Sequence, residues 1–356
     1  MKIAYILSSL RNKGPIKVVK IMVDEFVKNH HSVKVFYFDD VYDDILKFNC
    51  KTEKIFFWRK RDFKGYDVVH THGIRPDLYA RFFLVSRQIV VTTMHNYMRE
   101  DLKYHYGIFR SALISKLWCF AIQKHDLIIT LSKHAQQYYS NTLNHNNINY
   151  CYNAMANVEP VIIDYQDPLI NKVLTFISNE HVTLGCVGAL IARKGFEQIL
   201  SALANFQNVK LIIVGHGHEY YNLLRVAKNL KVYDRCLFLG HLSPNEVRSV
   251  IKLIDIFIVP SRSEGFSLAL LEAGQAKKAV VCSDIPTFKE LYSDVVTFFH
   301  LDDIDSLVDA IQKAINNKKI LEKKIYEKFL KEYNVSRQYK RHIDLYKKAI
   351  NCREMR

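Results

Sequence analysis

The sequence predicts an α/β protein built from two doubly wound domains, each a parallel sheet covered by helices on both faces. At 356 residues, the chain is longer than one hydrophobic core usually serves. Its 49% hydrophobic and 24% charged residues are typical of a globular protein and exclude a disordered or disulfide-scaffold composition. Short apolar runs alternate with segments of helical period, which is typical of βαβ units. No apolar stretch is long enough to predict a membrane-spanning helix.

The first half of the chain predicts one such domain. Its apolar runs predict strands over residues 2–7, 33–38, 68–70, 89–93, 127–130 and 148–152. The segments between them predict helices over residues 16–28, 77–86, 109–124 and 133–139. The weakly periodic stretch 157–167, which contains a proline, is the predicted linker to the second domain.

The second half predicts a similar domain followed by helices. Its strand candidates are residues 182–187, 209–214, 236–239, 256–259 and 279–282. From residue 304 onward the strand signals end, and the sequence predicts three polar helices. We therefore expect a second parallel sheet whose strand ends carry the ligand site, as in other open α/β sheets.

The net charge of +15 is unevenly distributed. Residues 1–150 contain 23 Lys and Arg against 13 Asp and Glu, residues 151–300 contain 14 against 14, and residues 301–356 contain 14 against 9. A basic first part and a basic tail favour an anionic partner, which is a nucleic acid, a phosphorylated substrate or an acidic membrane surface.

Cysteine usage and the first residues indicate the compartment. The seven cysteines are odd in number, scattered, and lack a C-x-x-C pair, which favours a reducing cytoplasm. Residues 1–9 contain too short an apolar stretch for a signal peptide and no cleavage site follows, so they predict a strand.

The strongest motif follows the predicted strand 256–259. Glu264 and Glu272 are separated by seven residues, and a helix is expected to open near Ser267. Glu264 would then lie in the loop above the strand and Glu272 about a turn and a half into the helix. Backbone N–H groups at the start of that helix form an anion site, suited to a diphosphate. The amides expected there belong to Phe266, Ser267 and Leu268. Alternatively, Glu264 only complements the dipole of the helix.

Two cations open the second domain after its first strand. Arg193 and Lys194 precede a glycine, and their charges suit a pyrophosphate that becomes a leaving group. The alternative is an exposed basic loop. Gly215 and Gly217 are two of the three glycines of a dinucleotide-binding fingerprint, and the third is missing. The pattern fits a tight turn near a nucleotide and does not favour a nicotinamide site.

The first domain contributes weaker candidates. Gly14 permits a ligand to approach the backbone closely, and Pro15 suits a first helical turn. His95 directly follows an apolar strand, which favours a position at the sheet edge. Asp303 and Asp305 precede a helix, so we interpret them as a helix cap and expect no metal.

Residues 104–124 mix aromatic and apolar side chains with cations. This pattern is typical either of a basic amphipathic helix in a membrane interface or of an ordinary helix covering the sheet. The sequence leaves both interpretations open.

Together, these motifs resemble the retaining glycosyltransferase family 4, whose members have the GT-B fold of two Rossmann-like domains facing a cleft. The likeness covers nearly the whole chain, and the spaced pair in E-G-F-x-L-x-x-L-E-A is its most specific part. Two departures stand out: Ala189 replaces an Arg common in the family, and Ala154 replaces the Gly of a usual N-G pair.

The resemblance implies a nucleotide-diphosphate sugar donor, with UDP favoured, and transfer with retention and without a metal or other cofactor. It implies that Glu264 contacts the donor sugar, Glu272 the ribose and His95 the reacting sugar. It implies that Arg193 and Lys194 contact the diphosphate and that Gly14 lets the N-terminal loop reach the phosphates. The further residues expected to bind the donor are Gly215, Gly265, Phe266, Ser267 and Leu268. It also implies an acceptor-side domain over 1–165, a donor domain over 166–335, and a helix over 336–356 that packs back on the first domain.

The sequence and the family that it resembles together predict a cytoplasmic glycosyltransferase, peripheral on the inner face of the cell membrane. The expected acceptor is a glycan or polyprenyl-linked molecule of capsule, O-antigen or lipopolysaccharide-type biosynthesis, and an anionic membrane surface is a further partner. No nucleic acid is expected, because no known binding motif accompanies the cations. Two alternatives remain: a nucleotide-sugar epimerase on the same fold, and a non-catalytic basic protein that binds nucleic acid or acts as a scaffold.

Overall fold

The computed structural model describes residues 1–85, 88–156, 158, 161–177 and 181–354. The chain divides into two compact units: the first comprises residues 1–156 and 333–356, the second residues 157–332. The boundaries predicted from the sequence, at residues 165 and 335, lie slightly later in the chain. The predicted α/β class is confirmed, since each unit contains a sheet of parallel strands with helices.

The first unit contains a seven-stranded sheet within the described residues, in the order β3-β2-β1-β4-β5-β6-β7. Its strands are β1 Lys2–Ser9, β2 Ser32–Asp39, β3 Lys51–Lys54, β4 Val68–Thr71, β5 Ile89–Met94, β6 Leu127–Thr130 and β7 Ile148–Tyr150. Its first four helices are α1 Gly14–Lys28, α2 Ile74–Phe83, α3 Met98–Ile122 and α4 Lys133–Thr142. The strand order reverses between β1 and β4, so the loops that follow these two strands diverge at this point of the sheet.

The second unit contains a six-stranded sheet within the described residues, in the order β10-β9-β8-β11-β12-β13. Its strands are β8 Val182–Val187, β9 Val209–Val214, β10 Cys236–Gly240, β11 Ile256–Val259, β12 Ala279–Ser283 and β13 Thr297–Phe299. Its helices are α5 Pro168–Phe176, α6 Phe196–Leu203, α7 Tyr220–Asn229, α8 Pro244–Leu253, α9 Leu268–Gln275, α10 Pro286–Tyr292, α11 Ile304–Asn316 and α12 Lys318–Glu332. The order reverses between β8 and β11, the position where open α/β sheets bind ligands.

The last helix of the chain, α13 Val335–Glu354, belongs to the first unit, as expected for a helix that packs back on it. It packs along α1, where Leu345, Tyr346 and Ala349 join the core that contains Phe26. The Tyr346 hydroxyl lies 2.6 Å from Nδ1 of His70 on β4. The helix therefore completes the hydrophobic core of the first unit.

Candidate active site

The second unit brings three of the predicted site residues together at its strand-order reversal. Arg193 and Lys194 lie in a short 3₁₀ turn, Ala192–Lys194, after β8, and Glu264 lies in the loop after β11. Lys194 Nζ is 2.5 Å from one carboxylate oxygen of Glu264, and Arg193 Nη1 is 3.3 Å from the other. The Ser261 hydroxyl donates to the same carboxylate at 3.0 Å. The side chains therefore form one cluster with two cations and one anion.

Glu264 is a buried carboxylate, with only 4% of its surface exposed. Burial alone would raise the pKa of Glu264, but the adjacent Lys194 and Arg193 outweigh burial and hold that pKa below its usual value. The carboxylate is therefore ionised at neutral pH and available as a hydrogen-bond acceptor.

The loops after β8 and β11 are held together by hydrogen bonds to backbone carbonyls. Arg193 Nη1 donates to the carbonyl of Ser263 at 2.5 Å, and the amide of Arg262 donates to the carbonyl of Arg193 at 2.9 Å. Gly195 has φ +66°, and a Cβ there would lie 2.3 Å from the carbonyl oxygen of Pro260. Only glycine permits this close approach of the loops.

Sequence reasoning missed two residues that organise this cluster. Arg262 forms ion pairs with Glu197 at 2.6 Å and Asp302 at 2.5 Å, and its Nη1 donates to the carbonyl of Ala192 at 2.8 Å. Gln198 is buried, and its Nε2 donates to the carbonyl of Pro260 at 3.1 Å. The sequence held one signal for Gln198, a polar side chain on an otherwise apolar face of α6.

Helix α9 begins beside this cluster, as predicted. Ser267 is its N-cap residue, and Leu268 is its first helical residue. The Ser267 hydroxyl is buried, and within the described part of the chain it has no hydrogen-bond partner. Gly265 and Phe266 are buried in the loop before α9, and Glu272 is half-buried on its second turn. This helix start therefore offers backbone donors and one unsatisfied hydroxyl next to Glu264.

Gly215 lies directly after β9, where the loop passes very close to Gly188. A Cβ on Gly215 would lie 1.8 Å from the carbonyl oxygen of Gly188, and the residue has φ +142°. The packing of the loops after β8 and β9 therefore requires glycine at this position irrespective of any ligand.

The remaining two predicted residues, Gly14 and His95, lie in the first unit. Gly14 is the first residue of α1, followed by Pro15 in the first turn as the sequence predicts. His95 follows β5, and its Nε2 lies 2.9 Å from Nδ1 of His72. The His72 ring stacks on His70, with 4.4 Å between ring centroids.

Burial keeps these imidazoles neutral. Burial lowers the pKa of His95 to about 4, and it lowers the pKa of both His70 and His72 well below the usual value. Within the described residues, Nε2 of His72 is buried without a hydrogen-bond partner. A cavity of about 10 Å³ borders His70, His72 and His342, close to the space that one water molecule needs.

The described part of the chain contains neither a metal-ligand cluster nor a membrane-spanning helix. No group of three or more His, Cys, Asp or Glu side chains there is arranged to hold a metal ion. None of the described helices combines the length and the apolar character that crossing a bilayer requires.

Comparison with known proteins places this site in a family. Residues 172–331, which contain Arg193, Lys194 and Glu264, match the family model of glycosyl transferases group 1. The O-antigen biosynthesis glycosyltransferase WclY of Escherichia coli is 31% identical over 357 residues, covering 97% of this chain and 98% of that protein.

Solved structures share the fold over nearly the whole chain. A sucrose-phosphate synthase from Thermosynechococcus elongatus superposes with a TM-score of 0.81 at 16% identity, over 99% of this chain and 100% of that one. Anabaena HepE in complex with UDP-glucose superposes with a TM-score of 0.78 at 17% identity, over 97% and 98% of the two chains. The fold is therefore GT-B, and the chain is an enzyme that belongs to the group 1 glycosyltransferases.

Proposed function

We propose that this enzyme is a retaining, family 4 glycosyltransferase that transfers a sugar from a UDP-sugar in surface polysaccharide biosynthesis. The acceptor in this proposal is a glycan or polyprenyl-linked molecule of a capsule, O-antigen or lipopolysaccharide-type pathway. The observation that carries the proposal is the buried Glu264 carboxylate held between Lys194 and Arg193.

The cations in this cluster suit a reaction in which a diphosphate leaves. When the bond from the sugar to the diphosphate breaks, negative charge develops on the departing oxygens. Lys194 and Arg193 are fixed in place before the reaction begins, so they stabilise that charge without rearranging. In this proposal the two cations take the role that a divalent metal plays in other sugar transferases, and neither a metal nor another cofactor is needed.

Glu264 and Glu272 are the proposed acceptors for donor hydroxyls. The ionised Glu264 accepts hydrogen bonds from the donor sugar, and Glu272 accepts them from the ribose. The start of α9 binds the diphosphate through the amides of Gly265, Phe266, Ser267 and Leu268, aided by the dipole of the helix. Gly215 provides a tight turn beside the nucleotide.

The first unit supplies the acceptor side in this proposal. Gly14 allows the loop after β1 to approach the donor phosphates, and His95 lies near the reacting sugar. His95 is neutral at physiological pH because burial lowers its pKa to about 4, so it acts as a hydrogen-bonding group without charge.

The names of similar proteins support the proposed pathway, surface polysaccharide biosynthesis, and the proposed UDP-sugar donor. WclY is named as an O-antigen biosynthesis glycosyltransferase, and HepE has been solved with UDP-glucose. We further propose that the enzyme works in the cytoplasm, peripheral on the inner face of the cell membrane, with an anionic membrane surface as its partner.

The test is a thermal-shift screen of the purified protein against UDP- and GDP-sugars, because a ligand stabilises the folded protein by mass action. The best donor is then used to compare the wild-type enzyme with Lys194→Ala and Glu264→Gln, and NMR assigns the anomeric configuration of the product. We expect a UDP-sugar to give the largest shift, both substitutions to lower kcat/KM by about 100-fold or more, and the product to retain the donor configuration.

Lys313→Ala is the matched control, because Lys313 is an exposed lysine on α11 of the same unit. It should leave kcat/KM unchanged. Full activity of Lys194→Ala and Glu264→Gln would reject the site, and an inverted product would reject the retaining mechanism.

A further inference from the structure

Part of helix α3 exposes large apolar side chains to solvent. Gly107 has φ +73° and interrupts the helix, so residues 108–122 form a separate helical segment. Phe109 is 92% exposed and Leu113 72% exposed, and Leu117 and Phe120 are each 46% exposed. Their spacings of four, four and three residues place them on one side of the helix, which we call the outer face of α3.

The opposite side of the same segment is buried against the first unit, where Ile122 joins a hydrophobic core and Ile114 and Trp118 pack beside it. Ser111 and Ser115 are buried, and their hydroxyls donate to the carbonyls of Ile108 and Ser111 at 2.7 Å and 2.6 Å. A surface helix normally turns its apolar side toward the core. This segment does so and also carries large apolar side chains on its outer face, which indicates that the outer face meets an apolar environment.

The segment is anchored to the rest of the first unit. The indole Nε1 of Trp118 donates to the carboxylate of Asp77 on α2 at 2.6 Å. Phe82 of α2 contacts the ring of Phe120 with 6.2 Å between centroids, and it is itself exposed. The outer face of α3 is therefore a defined surface on a packed helix.

The charges around this surface are of one sign. Residues 102–125 contain four cations and no Asp or Glu. The cations are Lys103, Arg110, Lys116 and Lys124, and all four are exposed. The guanidinium of Arg81 also lies 4.8 Å from the centre of the Phe120 ring. Apolar side chains bordered by cations match the acyl boundary and the headgroups of an anionic bilayer.

We propose that the outer face of α3 docks the enzyme on an anionic lipid bilayer. Phe109, Leu113, Leu117 and Phe120 enter the boundary between headgroups and acyl chains, while Arg110 and Lys116 contact acidic headgroups. The inference rests on the proposed function, in which a lipid-linked acceptor brings the enzyme to the membrane. A second copy of the chain fits less well, because a two-fold contact through this face would oppose cations with cations.

The test is co-sedimentation with vesicles of phosphatidylcholine alone and of phosphatidylcholine with phosphatidylglycerol. We expect the wild-type protein to bind the anionic vesicles, and F109S/L113S to bind them at least about tenfold more weakly. R110Q/K116Q should lose the preference for anionic vesicles. Tyr221→Ser is the matched control, because Tyr221 is an exposed aromatic residue of the second unit, and it should bind as the wild type does.

Donor hydrolysis, which needs no membrane, separates this inference from the proposed function. F109S/L113S should hydrolyse the donor at the wild-type rate, which also shows that it is folded. Vesicle binding by a wild-type protein without donor turnover would support the surface and reject the function. Wild-type vesicle binding by F109S/L113S would overturn the inference, as would a wild-type dimer that this variant converts to a monomer.

Discussion

Glu264 is buried at little cost because its charge is matched within hydrogen-bond distance. A buried carboxylate without partners would take up a proton, whereas Lys194, Arg193 and Ser261 keep this one ionised. The same contacts fix the positions of both cations. A single cluster therefore supports the fold of two loops and supplies the charges that the proposed reaction needs.

At Gly195, a substitution should be costly for two separable reasons. Gly195→Ala adds a Cβ that clashes with the carbonyl of Pro260 and places alanine in a left-handed conformation. Gly240 has nearly the same φ, +68°, but open space around it, so Gly240→Ala is the matched control. Urea unfolding should show a loss of about 1–2 kcal/mol for Gly240→Ala, and of about 1–3 kcal/mol more for Gly195→Ala. Equal losses of unfolding free energy in the two variants would show that the loops after β8 and β11 move apart at little cost to admit the added Cβ.

The sequence predicts some of these residues better than others. Arg193, Lys194 and Glu264 could be found because each follows a recognisable apolar strand, and strand ends meet at one edge of the sheet. Arg262 and Gln198 could not, because their partners are set by how two irregular loops pack. Gly215 was predicted from its glycine pattern alone, which does not distinguish a ligand contact from the close packing against Gly188.

At the scale of elements, the long buried strands were predicted nearly to the residue, and the short edge elements were not. Strand β3 has the sequence Lys-Thr-Glu-Lys and is mostly exposed, so no apolar run marks it. Strand β13 has only three residues. Helix α3 begins at Met98, whereas the sequence predicts a helix that begins at residue 109. The predicted start is late because the apolar residues after Gly107 give a stronger helical pattern than the first turns of the helix do.

The buried histidines of the first unit should make the protein sensitive to acid. Burial lowers the pKa of His95 and of His342 to about 4, so the unfolded chain binds protons that the folded chain does not. The stability from these groups is complete above about pH 6.5 and falls as the pH drops toward 4. Between pH 7 and pH 5 we expect a loss on the order of 2 kcal/mol for each histidine, measured by urea unfolding.

His342→Gln tests the assignment, because it removes one of these buried imidazoles. The variant should lose less stability than the wild type between pH 7 and pH 5. His218→Gln changes an exposed histidine of the second unit and should follow the wild-type dependence. Identical pH dependence in all three proteins would contradict the role given to His342.

At the scale of the whole molecule, the net charge belongs to one unit. The first unit contains 30 Lys and Arg against 15 Asp and Glu, a surplus of 15, while the second contains 21 against 21. The sequence located the two basic segments but could not assign them to one body. The structure does so, because α13 carries the basic tail into the first unit.

Removing α13 should damage the first unit and spare the second. A chain ending at Glu332 exposes the side of α1 that contains Phe26, and it removes the Tyr346 hydroxyl from His70. We expect binding of a hydrophobic dye and a weaker near-ultraviolet circular dichroism signal. Stabilisation by UDP, whose proposed site lies in the second unit, should persist. K347A/K348A is the control, because it changes only exposed residues of α13, and it should leave both signals intact. A truncated chain with native signals would show that α13 does not complete the core of the first unit.

The position of α13 also sets an order for folding during synthesis. The hydroxyls of Tyr5 and Tyr346 approach to 3.4 Å although the two residues are 341 positions apart in the chain, so the core around them closes only after residues 157–332 have been made. The second unit is one continuous segment and is able to fold as it leaves the ribosome. We therefore expect the second unit to fold first, the reverse of the usual order in which the N-terminal domain does so. Until α13 emerges, the nascent chain carries an uncovered apolar side of α1.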